Sequence, residues 1–271
     1  MLDKWLNYQE RAPAPYNTFR IIDVSEKIVA DDEIKDYLAD QLSDSYRNIA
    51  FMKLHFENEL PSKLTEYIES YLFPADTGIA NKIVKPGDFG EILAALIVGY
   101  FEGLTVPIKK LRWKFNKDRA VFCTDMIAHN SDQNITDIHY YEIKTRQGIR
   151  KENGFYVTVN AHNSLVKDQT QANQGIADFL SRLSYEEGDL ATSIKYADIV
   201  KNPANYNSHF ELFFIIESTE FISDILDDLH ALPPSLAPLN VTIVLLNDFR
   251  IRVDESYARA MTIFHDHVYG K

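Results

Sequence analysis

The chain has 271 residues, of which 45% are apolar and 25% charged, a balance that excludes a disordered class and allows one large core or two smaller ones. It has no apolar run long enough to span a bilayer and no secretory signal, and its single Cys123 excludes an internal disulfide and a multi-cysteine zinc site, so a cytoplasmic protein without membrane contact is expected. The formal charge of −12 argues against strong unaided binding to nucleic acid, because phosphate neutralisation drives that affinity.

Residues 1–78 read as a mainly helical, acidic N-terminal lobe suited to docking a partner, with a weak strand signal in Phe19–Val24 after the Pro13-Ala14-Pro15 breaker. Asp31–Leu42 and Ser62–Leu72 carry apolar residues at helical spacing with acids on the other face. The stretch from Phe73 to Gly78 marks the boundary to a second domain, residues 79–271. After Pro86-Gly87 a helix is expected from Asp88 to Phe101, with Phe89, Ile92, Leu93, Leu96, Ile97 and Tyr100 as its apolar stripe. Glu91 on that helix has two readings: partner of Asp88 in a capping box, or a carboxylate facing a metal.

Three strands are then expected, over Val106–Phe115, Ala120–Ala128 and Ile138–Thr145. The first alternates basic and apolar residues, and from Lys109 to Arg119 there are six basic residues against one acid. The second is apolar on both faces except for Asp125, and a lone charge in such a run is costly unless paired or bound to a metal. The third holds Glu142-Ile143-Lys144, whose acid and lysine must project from one face because strand side chains alternate. Further on come a short strand Phe155–Asn160, a long helix Ser164–Ser184, a buried strand Phe210–Ile216, a helix Thr219–His230 ended by Pro233-Pro234, a buried strand Val241–Asn247 and a helical tail Asp254–Phe264. Gln169, Gln171 and Gln174 could position water, but such residues are more often solvated helix positions. Cys123 reads as a buried structural thiol and His265-Asp266-His267 as a solvated tail. Neither a Walker-type phosphate loop nor a nucleophile-elbow serine occurs.

Asp125, followed 17 residues later by Glu142-x-Lys144 and preceded by a helix bearing Glu91, is a pattern with a direct chemical logic. Hard oxygen ligands suit Mg²⁺, which keeps several waters and is held by a few carboxylates, and Mn²⁺ is able to substitute. Such a metal acidifies a bound water, and a lysine beside it orients or deprotonates that water or offsets charge in the transition state. Asp125, Glu142 and Glu91 are therefore the candidate metal ligands and, with Lys144, the candidate catalytic set. Lys109, Lys110, Arg112, Lys114, Arg146, Arg150 and Lys151 flank it as candidate DNA contacts.

The element order resembles the αβββαβ core of the PD-(D/E)xK nuclease superfamily, an α/β fold with a mixed sheet flanked by helices, although Thr124 stands where the pattern's name has proline. More closely, Gly87-Asp88-Phe89-Gly90-Glu91-Ile92, Thr124-Asp125-Met126 and Tyr141-Glu142-Ile143-Lys144 are similar to the HamA family of Hachiman anti-phage defence nucleases, across most of the chain beyond residue 80. That resemblance implies a DNA nuclease of little sequence specificity, restrained and licensed by a partner helicase, HamB, that delivers the DNA. Two rival readings stand beside it: a restriction-type, sequence-specific endonuclease, and a non-catalytic nuclease-fold subunit that binds and regulates the helicase.

Overall fold

The computed structural model describes residues 1–12, 19–119, 124–131, 133–168, 172–233 and 235–270. Among these the chain runs α1 (Leu2–Trp5), β1 (Leu6–Glu10), β2 (Arg20–Glu26), α2 (Asp32–Tyr46), α3 (Ile49–Phe56), α4 (Pro61–Tyr67), α5 (Lys85–Ile97), β3 (Met126–His129) and β4 (Asp137–Arg146). It continues through α6 (Val157–Asp168), α7 (Ala172–Glu186), α8 (Leu190–Lys201), β5 (Asn207–Glu217), α9 (Asp224–His230), β6 (Leu239–Leu246) and α10 (Phe249–Tyr269).

The six strands form one mixed sheet in the order β1-β2-β6-β5-β4-β3. The central strands β2, β6, β5 and β4 run parallel, and β1 and β3 close the two edges antiparallel. In β5, residues Phe210–Ile216 are buried without a break, as a strand covered on both faces must be. Alternate side chains sort into two cores. One gathers Tyr141, Ile143, Phe213 and Ile215 with Leu42, Tyr46, Phe89 and Phe264 of α2, α5 and α10. The other gathers Ile138, Tyr140, Leu212 and Phe214 with Leu165, Leu180 and Ile225 of α6, α7 and α9. The result is a helix–sheet–helix sandwich.

Several local expectations change. The amino-terminal segment supplies two strands to this sheet, β2 where the weak alternation of Phe19–Val24 lies and β1 where no strand is expected. Val106–Phe115 is not a strand: Thr105 bridges His129, and the chain then turns through a 3₁₀ helix over Lys110–Trp113. Its alternation reflects lysines drawn inward to carboxylates rather than a half-exposed strand. The expected strand Phe155–Asn160 is helical from Val157, where the Thr158 hydroxyl donates to the Ile225 carbonyl and ties α6 to α9. The long helix after it is two helices, α6 and α7. Residues 120–123 of the expected second strand, Cys123 among them, lie outside the described residues, as do Pro13–Pro15, Pro234, Gln169 and Gln171; the Gln174 side chain does too.

Candidate active site

The antiparallel edge strand β3 is shorter than its neighbour. Met126 pairs with Tyr141, so β4 continues from Glu142 to Arg146 beyond the point where β3 begins. Asp125 stands at that step. Its Oδ2 accepts the Ile143 amide at 2.7 Å, taking the place of the backbone carbonyl that a longer edge strand would offer. A burial cost for the carboxylate is thereby offset by an amide hydrogen bond.

Glu142 and Lys144 project from the face opposite Tyr141 and Ile143, as the strand period requires. Lys144 Nζ lies 2.6 Å from Glu142 Oε1 and 3.5 Å from Asp125 Oδ2, so the two carboxylates converge on one cation. Glu142 is buried, and the Ser164 side chain of α6 hydrogen-bonds to it. Burial, and then the charge of Asp125, push the Glu142 carboxyl above its ordinary range despite Lys144. For Lys144, burial works against the charged form, but Asp125 and Glu142 outweigh it and raise the ammonium pKa.

Glu91 reaches the same step from the other face of the sheet. Helix α5 lies close on β4 because Gly90 has no side chain: a Cβ there would overlap the Thr145 methyl. The next residue, Glu91, pairs with Lys110 Nζ at 3.2 Å, and Lys110 also donates to the Thr124 carbonyl at 3.2 Å. Burial pushes the Glu91 carboxyl up to about 8, with the charges of Asp125 and Asp88 adding to the shift and Lys110 opposing it. A cleft of about 210 Å³ between α5 and β3 is lined by Glu91, Lys110, Asp125 and Met126, but not by Glu142 or Lys144. Asp125 is the group that faces both compartments. Among the described residues no three His, Cys, Asp or Glu side chains draw close enough to share one metal ion.

The capping-box reading of Asp88 and Glu91 is overturned. Asp88 is the fourth residue of α5, whose N-cap is Val84, and its carboxylate is buried against Lys114 Nζ and the Tyr46 hydroxyl. Tyr46 in turn meets the Tyr257 hydroxyl of α10 at 2.7 Å. This network joins α2, α5, α10 and the 114 segment, and the sequence carries no local signal for it. Ser164 is likewise invisible in the sequence, being one serine on a helix among many.

The flanking cations divide. Lys110 and Lys114 are buried in ion pairs with Glu91 and Asp88, so a role in contacting DNA directly does not fit their surroundings. Lys109 and Arg112 both pair with Asp44 of α2. Arg146 lies 3.8 Å from Glu152, Lys151 lies 3.6 Å from Asp228, and Arg150 is exposed. The carboxy-terminal histidines are helical residues of α10, with His265 against Thr65 at 3.0 Å and His267 against Asp40 at 3.5 Å.

An α/β protein with a mixed six-stranded sheet and an acid–lysine cluster at its broken edge is the class that fold and site define. The chain belongs to the HamA family, whose model matches residues 1–255, and with it to the components of the Hachiman antiviral defence system. No curated protein matches the chain. Among the described residues no helix is long and apolar enough to cross a membrane.

Proposed function

We propose that this chain is the metal-dependent DNA nuclease of its defence system, built on a PD-(D/E)xK-type core. One observation carries the reading: Asp125, just ahead of β3, and Glu142 of β4 converge on the single cation Lys144 Nζ near the end of β4. A site that already gathers two carboxylates around one positive charge has the donor chemistry for Mg²⁺ with a partial water shell. Asp125 and Glu142 would hold the metal between them, the remaining positions being left to water and phosphate oxygens. When bound, the metal supplies an acidified water and charge neutralisation at the phosphate.

The protein's own groups do the rest. The Ile143 amide fixes the Asp125 carboxylate, and Lys144 holds Glu142 at 2.6 Å, so both acids are positioned before charge develops. Lys144 keeps its proton in the resting arrangement and is positioned to orient the attacking water or to offset charge on the phosphoryl oxygens. Lys144 sits between Asp125 and Glu142 in the resting protein and offsets their charge, which supports a site that waits for a partner. The net charge of −12 supports delivery of DNA by a helicase rather than unaided capture; cleavage with little sequence preference is what the likeness to the HamA nucleases implies.

The test is plasmid DNA incubated with Mg²⁺, with and without the partner helicase and ATP, comparing wild type with Glu142→Ala. A smear of products from the wild type and intact plasmid from the variant is the expected result. If the wild type never exceeds the variant under any of these conditions, the nuclease reading fails. Discrete fragments would instead assign a sequence-specific endonuclease.

A further inference from the structure

The segment that carries Lys110 into the site also displays aromatic side chains to solvent. Its 3₁₀ turn, Lys110–Trp113, is anchored from below by Lys110 on Glu91 and, just beyond the turn, by Lys114 on Asp88. Above those anchors Trp113 is 38% exposed and packs edge-on against Phe179 of α7, with ring centroids 5.5 Å apart. Two residues further on, Phe115 is 95% exposed. Leaving a phenylalanine almost wholly in water sacrifices roughly 1.5–3 kcal/mol of available burial, so a segment held this firmly calls for an explanation of that exposure.

A protein-docking surface gathers contiguous apolar area. Along the chain Phe115 is followed by the exposed Asn116, by Lys117 and by the exposed Arg119, so its apolar surface is interrupted in sequence by polar and cationic residues. Aromatic rings interleaved with cations suit unpaired bases, whose flat faces stack while the backbone lies along the positive groups. A duplex offers no such face, because its bases are already stacked. On the reading of this chain as a DNA nuclease, we propose that Phe115, with Trp113 two residues before it, forms a stacking platform for an unpaired base of single-stranded or melted DNA, on the segment whose Lys110 lines the cleft with Glu91 and Asp125. Lys109 and Arg112 are held by Asp44, and Lys117 by Asp118, so few cations on this segment are free to release counterions. Binding therefore depends on salt less steeply than the count of basic residues implies.

The chain contains its own reporter. Of its two tryptophans, Trp5 is fully buried, so quenching by added DNA reads Trp113. The experiment titrates the full-length protein in EDTA with an oligothymidylate of about ten nucleotides, and separately with a duplex of similar length. The expected result is quenching by the single strand, little by the duplex, and roughly tenfold weaker single-strand binding by Phe115→Ala, equivalent to about 1.4 kcal/mol. Absence of quenching in the wild type, equal response to duplex, or unchanged binding by Phe115→Ala each overturns the proposal. So does a Phe115→Ala protein that keeps DNA binding but loses its response to the helicase, which would assign the ring to a protein partner. EDTA prevents metal-dependent hydrolysis, so these outcomes are independent of whether Mg²⁺ supports cleavage: quenching with no cleavage fails the nuclease reading alone.

Discussion

Gly90 of α5 and Thr145 of β4 touch so closely that no side chain fits between them. The glycine sets the distance between the helix that carries Glu91 and the strand that carries Glu142 and Lys144. Gly90→Ala must push α5 outward or displace Thr145 and its neighbour Ile215, since a Cβ would also lie 3.3 Å from Ile215 Cδ1. Overpacking of this kind costs about 1–3 kcal/mol. Urea unfolding should show that loss, and helicase-dependent cleavage should fall with it, although Gly90 carries no chemistry of its own.

Lys144→Met removes the one positive charge between Asp125 and Glu142. Cleavage is expected to disappear. Without the ammonium the two acids repel, so the variant should lose more stability at pH 8 than at pH 5, where the Glu142 carboxyl, already held high, is more readily protonated. Equal losses at both pH values would show that the acids are not coupled through Lys144.

Glu91 gives the pH dependence a definite sign. Its carboxyl is pushed up from an ordinary 4.5 to about 8, so between those values the folded chain holds a proton that the unfolded chain releases. Stability from this group is therefore fully present below about pH 4.5 and falls as pH rises toward 8. The melting temperature in EDTA should decline across that window, and Glu91→Gln should flatten the decline. A divalent cation binds the ionised acid, so added Mg²⁺ should raise the melting temperature more at pH 8 than at pH 6.

The buried pair Lys114–Asp88 predicts a double-mutant result. Lys114→Met leaves Asp88 buried with only Tyr46 as a partner, and Asp88→Asn leaves an uncompensated ammonium. Each should cost about 3–5 kcal/mol. The double variant should be less unstable than the sum of the two, because neither charge then remains alone. Additivity in chemical denaturation would mean that the pair is not coupled.

The sequence makes the chemistry of the site more legible than its shape. Asp125 stands out because a charge in an apolar run demands a partner, and the partner proves to be the Ile143 amide together with Lys144. Glu142 and Lys144 share a face by strand period alone. What stays hidden depends on residues far apart in the chain: Tyr46 and Asp88 meet across 42 positions, and Glu142 meets Ser164 from another helix. The basic alternation of Val106–Phe115 misleads because buried lysines and exposed strand lysines produce the same pattern. β1 escapes because its burial does not alternate, with one buried residue and four more open ones.

The sheet order also fixes a sequence of events during synthesis. β2, among the first strands translated, has its parallel neighbour in β6, the last. Until residues 239–246 have left the ribosome the amino-terminal pair has no place in the sheet, and α10, which supplies Tyr257 to the network beneath α5, follows later still. A nascent chain therefore carries Glu91, Asp125, Glu142 and Lys144 well before the sheet is complete and before Tyr257 joins the network beneath α5.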